Sequence, residues 1–209
     1  MLDCTIIIPH KPAYETDFCL RLNLEMLQRN TSPTTQYELI IDAEYPRDPY
    51  KKYNYAAEQA RSDTLIFSNS DMLFGPGWDI LVHDVNPNMI VTGYLVEPGN
   101  IGVADMNIHK DFGKVPSVYD MHGFEAYVNE RLSHIQPGNE RKVGRGWFMP
   151  CAMNKDWFNE VGGFPTEVGF PNPNDAIFWD KCIANLGTTL IRVPSFAYHF
   201  QALSSRGEK

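Results

Sequence analysis

Asn69-Ser70-Asp71 closes the apolar run Thr64-Leu65-Ile66-Phe67 and is followed closely by Gly75-Pro76-Gly77. An amide oxygen and a carboxylate two residues apart are hard ligands. They suit Mg2+ or Mn2+ held together with the phosphate oxygens of a substrate. The same residue types are common turn formers, so a plain reverse turn also explains the tripeptide in isolation. Two further apolar runs end the same way, in Pro9-His10 and in Asp42-Ala43-Glu44, and a last one ends at His199. Polar groups gathered at the ends of buried strands are the sort of residues that bind a charged ligand.

The elements that must position these groups follow from the apolar patterning. Cys4–Pro9 is a continuous β-branched run ended by proline, which predicts a strand buried on both faces, as in a parallel sheet. Asp17–Arg29 carries apolar residues at helical spacing, with Asn30 and Thr31-Ser32-Pro33 as a stop. Strands are expected over Tyr37–Asp42, Thr64–Ser68 and Met89–Val96, and helices over Tyr50–Ser62 and Trp78–Val85. Strand–helix alternation of this kind predicts a parallel α/β sheet, with ligands beyond the carboxyl ends of its strands. Residues 98–143 are irregular apart from a weak helix over Phe124–Leu132, a composition typical of a functional loop region. Trp147–Asn154 returns to strand character. Lys155–Phe164 reads as a helix stopped by Gly162 and Gly163. Asn174–Gly187 is a helix, and Thr188–Pro194 is a closing strand that runs on toward His199.

Composition bounds the possibilities. The 209 residues, with 43% hydrophobic and 12% aromatic content, suit one compact domain rather than a disordered chain. A net charge of −8 argues against nonspecific nucleic-acid or anionic-membrane binding. Cys4, Cys19, Cys151 and Cys182 are scattered and form no CxxC pair, which argues against a zinc site and for free thiols in a reducing cytoplasm. There is no basic-then-apolar leader and no apolar run near the ~20 residues of a membrane span. Neither GxGxxG nor GxxxxGK[ST] occurs. His109, His122 and His134 lack ligand spacing, and Trp147 and Trp179 are read first as core.

Taken in order, "TIIIPHK", "ELIIDAE", "NYAAEQARSDTLIFSNSDMLFGPGW", "VGGFP" and "ND…W…NLG…IRVPSFAYHF" resemble the GT-A nucleotide-sugar glycosyltransferases, above all glycosyltransferase family 2. The resemblance covers Thr5 to about Trp78 and Gly146 to His199. It implies a Rossmann-like, mixed but mostly parallel sheet flanked by helices in a single domain. A nucleotide-sugar-binding half would span 1–97, a variable segment 98–143, and an acceptor or catalytic half 144–209. It also implies a UDP- or GDP-linked sugar donor lying on Pro9, His10, Lys11, Asp42, Glu44, Asn54, Asn69 and Ser70. Mn2+ or Mg2+ would be held by Asp71 and His199 with help from Asn69. The Asn-x-Asp form departs from the usual Asp-x-Asp. Asp175 matches the family's base in inverting members, although Asn174 stands where a glutamate is usual. By its residue type and position alone, Asp175 is equally a helix N-cap. The closing stretch is also similar to that of the retaining polypeptide N-acetylgalactosaminyltransferases, so the stereochemistry of transfer stays open. The acceptor would be a glycan, a protein, a small molecule or a modified nucleobase. Two rival readings are an inactive GT-A-like binding module and a nucleotidyltransferase. The latter would need a glycine-rich basic loop after the first strand, which "HKPAYET" does not supply.

Overall fold

A computed structural model describes residues 1–44, 48–83, 85–99, 107–135, 141–142, 149–166, 177–178, 180–182 and 187–200. In chain order the elements are β1 (Cys4–Pro9), α1 (Tyr14–Asn30), β2 (Tyr37–Asp42), α2 (Pro49–Gln59), β3 (Thr64–Phe67), β4 (Met72–Phe74), β5 (Met89–Glu97), β6 (Asn107–His109), α3 (Met121–Ser133), β7 (Arg141–Lys142), β8 (Cys151–Asn154), α4 (Lys155–Glu160) and β9 (Thr189–His199). Residues 177–178 and 180–182 are also helical.

The strands form one mixed sheet in the order β2-β1-β3-β8-β5-β9-β4, with β6 pairing on β5 and β7 on β9. Its longest ladders, β1 with β2 and β5 with β9, are parallel. β8 enters antiparallel to both β3 and β5, and β4 runs antiparallel to β9. Side chains alternate between the two faces, as the pleat requires. Ile7, Leu65, Phe67, Ile90 and Met153 belong to one core cluster, whereas Ile6, Ile8, Ile66, Val91 and Ala152 belong to another. Both faces are therefore covered, which is why these strands read as unbroken apolar runs rather than alternating ones.

The first core holds the aromatic centre, where Phe67 packs 5.4 Å from Tyr53, 4.9 Å from Phe158 and 5.1 Å from Phe164, centroid to centroid. The irregular segment after Pro98 is not only a loop. Its described part provides Phe112, Phe124 and Val128, which build a third core with Tyr198 and Phe200.

Local signals explain several boundaries that the apolar pattern misplaces. α2 starts at Pro49 because Asp48 caps it, accepting from the amides of Tyr50 and Lys51. α3 begins at Met121 because Asp120 accepts from the Gly123 amide. The helix expected over Trp78–Val85 is instead a 3-10 turn over Trp78–Val82, entered through Gly77 at φ 70°. α4 ends at Glu160. Gly162 and Gly163, at φ 80° and 65°, then reverse the chain, their amides donating to the carbonyls of Asn159 and Phe158. Among the described residues no helix is long and apolar enough to cross a membrane.

Candidate metal centre and its surroundings

Three neighbouring strands meet at one corner of the sheet. β9 lies between β5 and β4, with Met72 opposite His199 and the Phe200 amide donating to the Asp71 carbonyl at 3.1 Å. On the other side Val96 lies opposite Tyr198, so Glu97 and His199 come next along the two strands. The ladders thus set His199 between Asp71 and Glu97.

The imidazole uses both nitrogens. Nδ1 lies 2.6 Å from Glu97 Oε1, and Nε2 lies 3.6 Å from Asp71 Oδ1. The second carboxylate oxygen of Glu97 accepts from the Asn107 side-chain amide. Both carboxylates are buried, at 4% and 2% exposure. Burial works against the imidazolium, but the charge of Asp71 together with the hydrogen bond and charge of Glu97 outweighs it and raises the pKa of His199 to about 9. A separation of 3.6 Å is too long for a hydrogen bond. It is short enough for Asp71 and His199 both to reach one cation on bonds of about 2.1 Å. A buried carboxylate facing an imidazole nitrogen suits a divalent ion such as Mn2+. No three His, Cys, Asp or Glu groups among the described residues converge on a common ion. The remainder of a coordination shell would be phosphate oxygen and water.

The turn from Ser68 to Asp71 sends its side chains in different directions. The Asn69 side-chain oxygen accepts from the Tyr53 hydroxyl at 2.7 Å, and the same hydroxyl reaches the Ser68 carbonyl at 2.9 Å. Asn69 is therefore engaged by α2, whereas Asp71 faces His199. Ser70 is buried beside them.

A second polar group sits at the tips of β1 and β2. The His10 amide donates to the Asp42 carbonyl at 2.8 Å. His10 Nε2 lies 2.7 Å from Asp17 Oδ1, and its Nδ1 is buried with no hydrogen-bond partner. Asp42 accepts from the Glu44 amide through Oδ1, while Oδ2 is buried and without a partner. Beneath them the Lys52 ammonium donates to the His10 carbonyl at 2.6 Å. Burial lowers the pKa of Lys52, and Asp42 partly opposes that. Lys11 and Glu44 are exposed at the rim, and Pro9 pairs with Asp42 across the ladder.

Asn54 bonds to the turn that follows α4. Its Oδ1 accepts from the Phe164 amide at 2.9 Å and its Nδ2 donates to the Phe164 carbonyl at 2.8 Å. Asp175, Asn174, Trp147 and Trp179 lie outside the described residues.

Glu97, Lys52 and Asn107 are the polar residues that reading the sequence overlooked. Glu97 was within reach, since it ends an apolar strand run in a carboxylate just as Asp42 does. Asn107 gave no signal, because it falls in the segment without a recognisable pattern.

The architecture is that of the GT-A fold. The chain superposes on a crystal structure of GalNAc-T7 with UDP, GalNAc and Mn2+ at TM-score 0.62 and 12% identity, over 95% of this chain and 44% of that one. It superposes on S. aureus TarS 1–349 at TM-score 0.58 and 12% identity, over 94% of this chain and 60% of that one. The UDP complex of the same TarS fragment gives TM-score 0.57 and 12% identity, over 95% and 60% of the respective chains. The chain thus spans less than two thirds of the length of the structures it matches. No family model and no curated protein sequence matches it.

Proposed function

We propose that the chain is a metal-dependent glycosyltransferase that moves a sugar from a nucleoside-diphosphate sugar to an acceptor hydroxyl. What supports this most is the meeting of Asp71 and His199, remote in sequence, with donor atoms 3.6 Å apart where the end of β9 meets the turn into β4 of a GT-A sheet. UDP and Mn2+ accompany GalNAc-T7 in its crystal structure and UDP accompanies TarS, which favours a uridine donor and Mn2+ here.

In this reading Asp71 and His199 hold the cation, which when bound neutralises charge developing on the departing diphosphate. The unpartnered Oδ2 of Asp42 accepts an N–H from the base, and His10, Lys11, Glu44 and Ser70 line the donor. Pro9 fixes the end of β1 under that donor. Asn69 shapes the turn through its contact with Tyr53 and is at most an auxiliary ligand. Asp175 takes the proton from the acceptor hydroxyl, which makes the transfer inverting. That assignment rests on the family resemblance, and the anomeric configuration of the product tests it.

The decisive experiment is a thermal-shift titration with UDP, GDP and their common sugar conjugates, with and without Mn2+. A ligand at 100 times its Kd stabilises by about 2.7 kcal/mol. For a chain of this size that corresponds to roughly 5–10 °C. The shift should require Mn2+ and vanish in Asp71→Ala. An equal shift without metal in both proteins overturns the proposal. Mn2+-dependent binding with no release of nucleoside diphosphate would identify a binding module in place of an enzyme.

A further inference from the structure

The proposed centre leaves one strongly placed group without a role. Glu97 is buried at 2% exposure, is not one of the two proposed ligands, and faces the far nitrogen of the imidazole. A buried carboxylate is costly unless hydrogen bonds satisfy it. Here both oxygens are used, Oε1 toward His199 Nδ1 and Oε2 toward the Asn107 amide.

We propose that Glu97 is the positioning residue of the metal centre. It holds the imidazole of His199 as the Nδ1–H tautomer and aims the Nε2 lone pair at the ion, with Asn107 fixing the carboxylate in turn. The inference rests on the metal reading of Asp71 and His199 given above. In an imidazole, the nitrogen that carries the proton is set by the hydrogen bond the other makes, and a metal-bound His commonly donates its second N–H to a carboxylate. A 2.6 Å contact from a carboxylate oxygen to Nδ1 meets that requirement and leaves Nε2 facing Asp71.

The backbone goes out of its way to make this contact. Thr92 lies opposite Arg192, yet Tyr94 lies opposite Phe196, so Val193, Pro194 and Ser195 of β9 stand against the single residue Gly93 of β5. This irregularity advances the pairing by two residues. With the earlier register continued, Glu97 would face Ala197; with the shift, it reaches His199. Gly93 permits the bulge because a Cβ there would strike the Ser195 carbonyl. Beyond the bulge β6 pairs with β5 and brings Asn107 within reach of Glu97.

The test measures Mn2+ affinity by the electron-paramagnetic-resonance signal of the free ion, using the full chain and its Glu97→Ala, Glu97→Gln and His199→Ala variants. Apo melting curves are recorded for each. Loss of a carboxylate that orients a ligand costs 10–100-fold in metal affinity. Glu97→Ala should therefore bind Mn2+ about 10–100-fold more weakly than the parent chain. Glu97→Gln, which keeps an acceptor for Nδ1–H, should recover part of that loss. With Zn2+ as a diamagnetic probe, long-range 1H–15N spectra should show His199 protonated at Nδ1 in the parent chain, and that signature should be lost in Glu97→Ala. If the parent chain binds Mn2+ and Glu97→Ala binds it equally well, the role of Glu97 is refuted while the metal centre stands. If the parent chain and His199→Ala are alike in failing to bind Mn2+, the metal centre falls and the role of Glu97 falls with it. A lowered apo melting temperature with unchanged Mn2+ affinity makes Glu97 merely structural and also refutes the proposal.

Discussion

Replacing Asn54 with alanine separates two accounts of one residue. The family resemblance puts Asn54 on the nucleotide, whereas the geometry makes it a clasp between α2 and the turn that follows α4. Its amide accepts from Phe164 N–H at 2.9 Å and donates to Phe164 C=O at 2.8 Å. Phe164 is 1% exposed and sits among Tyr53, Phe67, Phe158 and Phe178. The fit extends to Gly163, where an added Cβ would lie 2.8 Å from Asn54 Oδ1 on a backbone at φ 65°. Each neutral hydrogen bond contributes about 1–1.5 kcal/mol net, so Asn54→Ala should cost about 2–3 kcal/mol. That is a fall of about 5–10 °C in Tm for a domain of this length. Asn54→Asp should do no better than alanine. It keeps the acceptor for Phe164 N–H but turns a second carboxylate oxygen toward the Phe164 carbonyl. Calorimetry on both variants, beside urea titration at 25 °C, measures the cost. UDP affinity of the folded variants, measured well below Tm, should stay within about twofold of the parent, roughly 0.4 kcal/mol. An Asn54→Ala protein that melts within about 1 °C of the parent refutes the clasp. Loss of UDP binding at unchanged stability would restore the nucleotide role.

Two other perturbations probe the frame of the site and its core. Gly93→Ala should cost about 3 kcal/mol, the upper part of the usual overpacking range, because the obstructing atoms belong to the Ser195 backbone. It should weaken Mn2+ binding in parallel, since the bulge sets the register of His199; a variant with parental melting and metal affinity would show that the strands absorb the methyl group. The four thiols are buried, and burial foremost pushes Cys4 and Cys182 up to about 12 from an ordinary 9.0. Ellman's reagent at pH 8 should find no fast thiol in the folded chain and four in guanidinium. The sign of the pH effect follows from linkage. Unfolded thiols release protons near pH 9 that the folded ones keep, so stability should decline as pH rises above about 9. A rapid native thiol, or stability that climbs from pH 9 to 10.5, contradicts this.

Much of the first third of the chain is legible because its strands are buried on both faces. Ile6-Ile7-Ile8 and Leu65-Ile66-Phe67 can read as strands only if helices cover both sides of the sheet, and they do. α1 is legible through its helical apolar spacing, although only part of that face is buried: Met26 and Leu27 are, while Phe18 and Leu24 stay exposed. The short β4 is not legible, because three residues carry no period and its strand state is created by pairing with β9. The same limit hides β6 and β8's antiparallel entry, which depend on partners distant in sequence. Boundaries go astray where a polar cap outranks the apolar pattern, as Asp48 and Asp120 do.

The site divides along the same physical line. Carboxylates at strand ends are visible because a charge that terminates an apolar run adds nothing to the core it adjoins and costs desolvation there. Their pairing is invisible, since which tip faces which depends on strand order and on the slip at Gly93. Hence Asp71 stands out at a strand end and His199 only through the family resemblance, yet Glu97, carrying the same kind of signal as Asp71, goes unread until β5 and β9 are aligned. Asn54 shows the converse. A residue singled out by a motif can have a structural contact that the motif does not announce. Asn54 and the Gly162-Gly163-Phe164 turn require one another sterically and through two hydrogen bonds, which is reason enough for them to occur together. A residue that fits a family motif can thus serve to join two elements, as Asn54 joins α2 to the turn after α4. Only the partner atoms of the side chain show such a role.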